Sequence, residues 1–273
     1  MKESKSFTGE IDVDVTVEEI MADFLDAVSR VYSNSMMLKG CMALYIHTDF
    51  KTNLRKTRDL DFDFFSLEDW EDFCKNSSLI ASKHSKLKFN YTVVSRRGFS
   101  KNPNGDSIKF KASNGNRVVE FKIDMNIGNN DFSNLNRKIT ESPINLYSIT
   151  GILCDKISVL ATRKLCRRIK DIIDVYYICS NFNVDFDLVV ASIISKYGEE
   201  IQRNLNPCFV LNLENYDNLN HAYSVYDLGD VDKDDFIRVY EKVSMFVSPI
   251  YEFLADGKLH YTLWDKGKGL WLR

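Results

Sequence analysis

The sequence has few residues that interrupt regular structure, and it has no long apolar run. Only four prolines and 12 glycines occur in 273 residues, and no repeat, low-complexity tract or long linker is visible. The longest apolar runs are far shorter than the roughly 20 residues that a membrane-spanning helix needs. The first seven residues lack the apolar segment of a secretion signal. We therefore expect a globular protein of the cytoplasm.

Cysteine, histidine and positive charge are also too sparse or too scattered to define a site. No two of the six cysteines have Cys-x-x-Cys spacing, and none of the four histidines lies near them at zinc-ligand spacing. Free thiols in a reducing compartment are expected. The net charge of −3 excludes a generic polyanion-binding surface. Contact with nucleic acid would therefore require a local basic patch.

Hydrophobic periodicity divides the chain into two parts. Before residue 145 it predicts a helix over 17–32, a short strand at 36–38, an alternating strand over 60–65 and a hairpin turning at Asn114-Gly115. After Ser142-Pro143 it predicts helices, over 146–165, 169–179, 188–197 and 236–254. The expected fold class is therefore α/β (α+β), with a mixed-sheet domain over 1–145 and a mostly helical domain over 146–273. The aromatic tail is expected to pack against the body.

Three carboxylates on strand faces are the candidate metal ligands. Asp59 and Asp61 are two residues apart on the predicted strand, so their side chains share a face. Asp124 lies on the polar face of a later strand, where Glu120 is the alternative. Carboxylates placed in this way suit a pair of magnesium or manganese ions, which can activate an attacking hydroxyl and stabilise a leaving pyrophosphate.

A small-residue turn precedes these carboxylates by about twenty residues. Gly40 follows the short apolar strand, and Cys41 opens the next predicted helix. A residue without Cβ allows the backbone to approach a phosphate closely, and a helix N-terminus offers unpaired N–H groups to an anion. The turn is thus a candidate phosphate site, although an ordinary tight turn would have the same sequence.

Two segments together resemble the AbiEii/AbiGii nucleotidyltransferase toxins, a family that includes MenT-type toxins and belongs to the DNA-polymerase-β-like superfamily. The first is Leu38-Lys-Gly40-Cys-Met-Ala43-Leu44 followed by Arg55-x-Thr57-x-Asp59-Leu-Asp61. The second begins with Asp155-Lys156 and continues with Lys170-Asp171-Ile-Ile-Asp174-Val-Tyr176-Tyr177. The resemblance covers residues 36–180. It departs from the family pattern at Cys41, where Gly or Ser is usual.

The resemblance implies a role for each matching residue. Asp59 and Asp61 would be catalytic metal ligands, Lys156 would contact the nucleoside triphosphate, and Asp171 would be catalytic or would orient the base. The turn and the segment before the first carboxylate would bind nucleotide, through Gly40, Cys41, Arg55 and Thr57.

The implied reaction is transfer of a nucleoside monophosphate to an acceptor hydroxyl by the toxin of a toxin–antitoxin system. RNA, including the 3′ end of tRNA, is the implied acceptor, and an antitoxin protein is the implied partner. A basic cluster is the candidate RNA-backbone site, formed by Arg163, Lys164, Arg167, Arg168 and Lys170. The alternatives are transfer to a protein or small molecule, or an inactive relative that only binds nucleotide or a partner.

Overall fold

The computed structural model describes residues 15–49, 54–99, 105–127, 136–138, 144–161, 168–204, 212–226, 235–257 and 260–273. Its elements in the first half are α1 (Val17–Tyr32), β1 (Met36–Lys39), α2 (Gly40–His47), β2 (Asp59–Phe64), α3 (Leu67–His84), β3 (Asn90–Arg96), β4 (Gly105–Ser113), β5 (Val118–Ile127) and β6 (Asn136–Lys138). Those in the second half are β7 (Asn145–Tyr147), α4 (Ile149–Leu160), α5 (Ile169–Asn181), β8 (Val184–Asp185), α6 (Phe186–Asn204), α7 (Tyr216–Val225), α8 (Phe236–Asp256), β9 (Leu263–Asp265) and β10 (Leu270–Leu272).

The described strands of the first half, together with β7, form one mixed sheet. The seven strands run in the order β3-β4-β5-β2-β1-β7-β6. Strand β2 is central, antiparallel to β1 and parallel to β5. The predicted mixed α/β sheet followed by helices is confirmed. The sheet places β2 between β1, which ends one residue before Gly40, and β5, which carries Asp124.

The alternation along β2 separates a core face from a polar face. Leu60, Phe62 and Phe64 are fully buried, as a strand with one face toward the core requires. The core lies between this face and helices α1 and α3. There Phe24 of α1 is in edge or tilted contact with Phe73 of α3 and with ring side chains of β3, β4 and β5. The opposite face of β2 carries the acidic residues.

The helix boundaries follow their capping residues. Helix α1 begins after Thr16, whose side chain accepts from the backbone N–H of Glu19 at 3.2 Å, while Glu19 accepts from the backbone N–H of Thr16 at 2.7 Å. Helix α3 begins after Ser66, which accepts from the N–H of Asp69 at 3.0 Å. The capping box of α1 and the N-cap of α3 satisfy N–H groups that the first helical turn leaves unpaired.

The predicted helix over 146–165 is wrong at its start. Leu146 is fully buried in β7, where it pairs in parallel with Leu38 of β1. Helix α4 begins only after Ser148, whose hydroxyl accepts from the N–H of Gly151 at 3.1 Å. Strand pairing in the sheet therefore overrides the local helical pattern of this segment.

The second half also contains a small sheet that periodicity did not predict. Strands β8, β9 and β10 have two or three residues each and form a sheet in the order β10-β9-β8. The tail packs against α8, as expected: Trp264 and Trp271 are buried, and the indole N–H of Trp271 donates to the carbonyl of Phe246 at 2.9 Å. Strands this short cannot display the two-residue period on which sequence reasoning depends.

Candidate active site

The turn between β1 and α2 lies directly against a carboxylate of β2. Gly40 has φ +71°, a left-handed conformation that residues with a Cβ rarely adopt. A Cβ at this position would overlap Oδ2 of Asp61 and lie 3.2 Å from its Cγ. Glycine is therefore needed both for the backbone conformation and for the close approach of Asp61.

The strand register brings the predicted carboxylates to neighbouring positions. Asp59 and Asp61 share the polar face of β2, and Asp61 pairs with Asp124 of β5. Glu120 lies four residues earlier on β5 and forms an ion pair with Lys109 of β4. Because adjacent strands are roughly 4.8 Å apart, Asp124 is beside Asp61, whereas Glu120 is beyond the start of β2.

The Asp61 carboxylate has an environment that suits a cation. It is partly buried, and it receives no hydrogen bond or ion pair from the part of the chain that the structure describes. Burial raises the pKa of Asp61 to about 6, with Asp124 and Asp59 contributing, although Lys156 and Lys39 act in the opposite direction. A carboxylate that is desolvated and has no donor gains most from a bound cation.

The outer two carboxylates contact lysines instead. Asp124 lies 2.5 Å from Nζ of Lys122, and Asp59 lies 4.0 Å from Nζ of Lys170. Among the described residues, no three His, Cys, Asp or Glu side chains converge as a metal-holding group. Carboxylate oxygens are nonetheless the donors that a hard divalent cation takes, and Asp61 is the one of the three that has no lysine partner among the described residues.

Helices α4 and α5 supply a buried ionic cluster next to this face. Nζ of Lys156 lies 2.8 Å from Oδ1 of Asp171 and 2.8 Å from Oδ2 of Asp174. Burial alone would lower the pKa of Lys156, but the two carboxylates raise it above its ordinary value. Lys156 is therefore a fixed positive charge within electrostatic range of Asp61.

Arg55 is held by the same cluster. Its Nε and a terminal guanidinium nitrogen donate to the two oxygens of Asp174 at 2.8 and 3.0 Å, and the Arg55 side chain is 6% exposed. This bidentate contact joins the segment before β2 to α5. The guanidinium is thus engaged inside the protein, and the geometry favours a positioning role over the predicted nucleotide contact.

Thr57 and Cys41 are also buried supports of the site. The backbone N–H of Thr57 donates to Glu18 at 3.0 Å, and its hydroxyl accepts from the N–H of Asp59 at 3.3 Å. The Cys41 thiol packs against the carbonyl of Arg55 at 3.8 Å, and burial raises its pKa to about 12. Both side chains are 6% exposed or less. The nucleotide contacts predicted for Thr57 and Cys41 therefore remain predictions. With both side chains buried, the backbone groups of these residues would have to make them.

The predicted basic cluster is described only in part. Arg163, Lys164 and Arg167 lie outside the described residues. Arg168 approaches Asp171 at 3.4 Å, and Nζ of Lys170 lies 4.0 Å from Oδ2 of Asp59. The two described members of the cluster thus lie at the edge of the carboxylate face.

Sequence reasoning missed a second polar network on this face. Nζ of Lys39 lies 2.5 Å from Oδ1 of Asp63, and the hydroxyl of Tyr147 donates to the other oxygen. Lys196 of α6 lies 3.5 Å from the same hydroxyl. Lys39 immediately precedes Gly40, and Asp63 continues the acidic alternation of β2. These two positions are the sequence features from which the network could have been expected.

Comparisons with known proteins agree with this arrangement. The family described as Nucleotidyl transferase AbiEii toxin, Type IV TA system, matches residues 23–238. A crystal structure of a proposed nucleotidyltransferase from H. pylori has a TM-score of 0.54 and 15% identity, covering 89% of this chain and 97% of the other. The structure of JHP933 from Helicobacter pylori has a TM-score of 0.51 and 14% identity, covering 88% and 90%. No curated protein matches significantly.

A mixed sheet that sets paired carboxylates against a glycine turn, with a family match over most of the chain, defines a nucleotidyltransferase. The chain belongs to the AbiEii family of nucleotidyltransferase toxins of toxin–antitoxin systems. In the part of the chain that the structure describes, every helix is too short or too polar to span a bilayer.

Gly40→Ala is expected to impair activity more than stability. The left-handed φ costs alanine roughly 1–2 kcal/mol of folding free energy. The new Cβ would also displace the Asp61 carboxylate, since Cγ and Cβ of Asp61 lie within 3.4 Å of it. Nucleotidyl transfer should fall by about 100-fold, a typical loss when a charged catalytic group is misplaced. Denaturant unfolding and single-turnover rates measure the two effects. Gly115→Ala, at another positive φ but with no atom within 4 Å, is the control for backbone strain.

Proposed function

We propose that the protein transfers a nucleoside monophosphate from a nucleoside triphosphate to an acceptor hydroxyl, with Mg²⁺ or Mn²⁺ held by Asp59, Asp61 and Asp124. The observation that carries the proposal is the environment of the Asp61 carboxylate. It lies against Gly40, its strand position is opposite Asp124, and it receives no hydrogen bond from the described residues. When bound, the divalent ions would supply hydroxyl activation and charge stabilisation at the pyrophosphate.

The protein's own groups would bind and orient the triphosphate. Helix α2 begins at Gly40 and Cys41, and the backbone N–H groups at this helix N-terminus would donate to the phosphates. Lys156 would stabilise negative charge developing on the departing phosphates. Asp171 would hold Lys156 in place or accept a proton from the acceptor hydroxyl. Arg55 and Thr57 would position the segment from which β2 starts.

Each predicted domain would have its own role in the reaction. Residues 1–145 would form the catalytic core, and residues 146–273 would close one side of the cleft and supply Lys156 and Asp171. Because strand β7 (Asn145–Tyr147) spans this boundary and belongs to the sheet, a boundary near residue 148 would keep the sheet intact.

RNA, including the 3′ end of tRNA, is the proposed acceptor, and an antitoxin protein is the proposed partner. The support is family membership and the position of Lys170 and Arg168 at the edge of the carboxylate face. Transfer to a protein or a small molecule, and simple nucleotide binding without transfer, are the competing outcomes of the test.

The test supplies each nucleoside triphosphate labelled at the α-phosphate, with Mg²⁺ and either total RNA or total protein. We expect label on RNA, none with γ-labelled nucleotide, and none in the presence of EDTA. Asp124→Asn should lower transfer by about 100-fold or more. Glu120→Gln is the matched control, since Glu120 is also on the polar face of β5 and also paired with a lysine. Equal loss in both variants, or label on protein alone, would contradict the proposal.

A further inference from the structure

A cationic groove lies in the second half of the protein, away from the carboxylates. It has a volume of about 340 Å³ and lies between α8 and the turn that joins β9 to β10. Its charged lining contains four cations and a single carboxylate, namely Arg238, Lys242, Lys266, Lys268 and Glu241. Because the whole chain has a net charge of −3, this groove is a local reversal of the overall charge.

The helical side of the groove is one continuous face of α8. Arg238, Lys242 and Met245 are four and three residues apart, so they lie on successive turns of the same side. Arg238 and Met245 are exposed, and Lys242 extends to within 5.8 Å of the ring centroid of Tyr176 on α5. The α8 side of the groove therefore combines one exposed methionine with two cationic side chains.

The turn side of the groove is held rigidly. Oδ1 of Asp265 accepts from the backbone N–H groups of Gly267 and Lys268 at 2.9 and 3.2 Å. The backbone N–H of Lys266 donates to Asn183, and its Nζ donates to the carbonyl of Asn181 at the end of α5. The neighbouring strands are fixed by the buried tryptophans of the tail. The backbone of the turn is thus fixed, and Nζ of Lys268, which is exposed, lies 3.6 Å from Oδ2 of Asp265.

Helix α5 connects this groove to the candidate active site. Asp171 is in the first turn of α5, and Asn181, which supports Lys266, is its last residue. Ten residues of α-helix span about 15 Å. A nucleic-acid strand carries one phosphate per roughly 3.4 Å of helix axis, so the groove is about four or five nucleotides from the site.

We propose that this groove binds the phosphodiester backbone of the RNA acceptor, several nucleotides from the reacting hydroxyl. The inference rests on the proposed RNA-directed function and adds a second contact surface to it. Arg238, Lys242 and Lys268 contact phosphates, while Lys266 mainly fixes the turn to α5. Contacts of this kind carry no base preference, and they weaken as salt increases.

The test measures binding of fluorescein-labelled unfractionated tRNA by anisotropy at several salt concentrations. The double variant Arg238→Gln with Lys268→Gln should raise the Kd about tenfold and lower the slope of log Kd against log salt by about 1.4–1.8, because each phosphate contact contributes about 0.7–0.9. Lys75→Gln with Lys83→Gln removes two exposed lysines of α3, on the opposite face of the sheet, and should leave both values unchanged. The KM for the nucleoside triphosphate should be unchanged in both double variants.

The outcomes separate the two levels of the proposal. If wild-type protein labels RNA but the groove variant binds tRNA with unaltered Kd and salt slope, the groove assignment is wrong and the proposed function stands. If wild-type protein neither labels nor binds RNA, the proposed acceptor and the groove assignment both fail. An equal loss of affinity in the α3 control variant would show a nonspecific charge effect, and the groove assignment would then also be wrong.

Discussion

Asp61→Asn is expected to lower nucleotidyl transfer by on the order of 1,000-fold, while the metal-free variant should be more stable than wild type. The loss follows because an amide cannot replace the charge of the one carboxylate that lies against Gly40 without a competing donor. The gain follows because burial raises the pKa of Asp61 to about 6, so the ionised form is disfavoured in the folded protein. Few substitutions would separate activity from stability so clearly.

The stability gain should depend on pH with a defined sign. The Asp61 carboxyl has a pKa near 3.8 when unfolded and about 6 when folded, so the folded wild type binds the proton more tightly. The free energy of unfolding of wild type should therefore fall as the pH rises from about 4 to about 6. The variant, which cannot titrate there, should be equal to wild type below about pH 4 and more stable by about 3 kcal/mol above about pH 6.5.

Urea unfolding of the metal-free proteins, followed by circular dichroism at several pH values, measures this difference. Asp59→Asn is the matched control, since Asp59 shares the face of β2 but its side chain is 38% exposed. It should lose activity without gaining stability. Retained transfer in Asp61→Asn would remove the basis of the metal-site assignment. A pH-independent stability difference would show that Asp61 is not desolvated as the structure places it.

The fold and the carboxylate face could be predicted because their signals are local. A capping box and helical spacing define α1, and strict alternation along β2 states which residues face the core. The same alternation identifies Asp59 and Asp61 as neighbours on one face. The register of β5 on β2 adds that Asp124, and not Glu120, lies beside Asp61.

The ionic contacts between the two halves could not be predicted, because they depend on how distant segments meet. Arg55 and Asp174 are 119 residues apart in sequence and form a buried bidentate pair. The sequence motif suggests a nucleotide contact for Arg55, since a motif states residue type but not the direction of the side chain. Strand β7 was missed for the same reason: Leu146 has a helical context locally and a strand partner, Leu38, only in the sheet.

Asp174→Asn is expected to destabilise the protein strongly. Its side chain is fully buried and accepts from Arg55 at 2.8 and 3.0 Å and from Lys156 at 2.8 Å. Asp174→Asn would leave two buried cations with a neutral partner. Breaking a buried ion pair from one side costs about 3–5 kcal/mol, so the midpoint of urea unfolding should fall accordingly.

A double-mutant cycle with Arg55→Gln tests whether the contact itself is responsible. If Asp174 stabilises mainly by pairing with Arg55, the double variant should be destabilised by clearly less than the sum of the single variants. Additive effects would instead assign the loss to packing. Asp171→Asn is the comparison for Lys156. Because Asp171 shares Lys156 with Asp174, its loss should lower transfer while reducing stability by about 1 kcal/mol.

The contacts of Asp174 with Arg55 and Lys156 also predict how the stability of the protein changes in acid. Burial alone would raise the pKa of Asp174, but Arg55 and Lys156 hold it below its ordinary value of 3.8. The unfolded chain therefore takes up this proton more readily than the folded one, and the contribution of Asp174 to stability is present above about pH 4 and lost as the pH falls further. Wild type and Asp174→Asn should thus differ at neutral pH and converge under acid. Since Arg55 holds the start of β2 and Lys156 is within electrostatic range of Asp61, loosening this cluster should also lower transfer, even at temperatures where the variant remains folded.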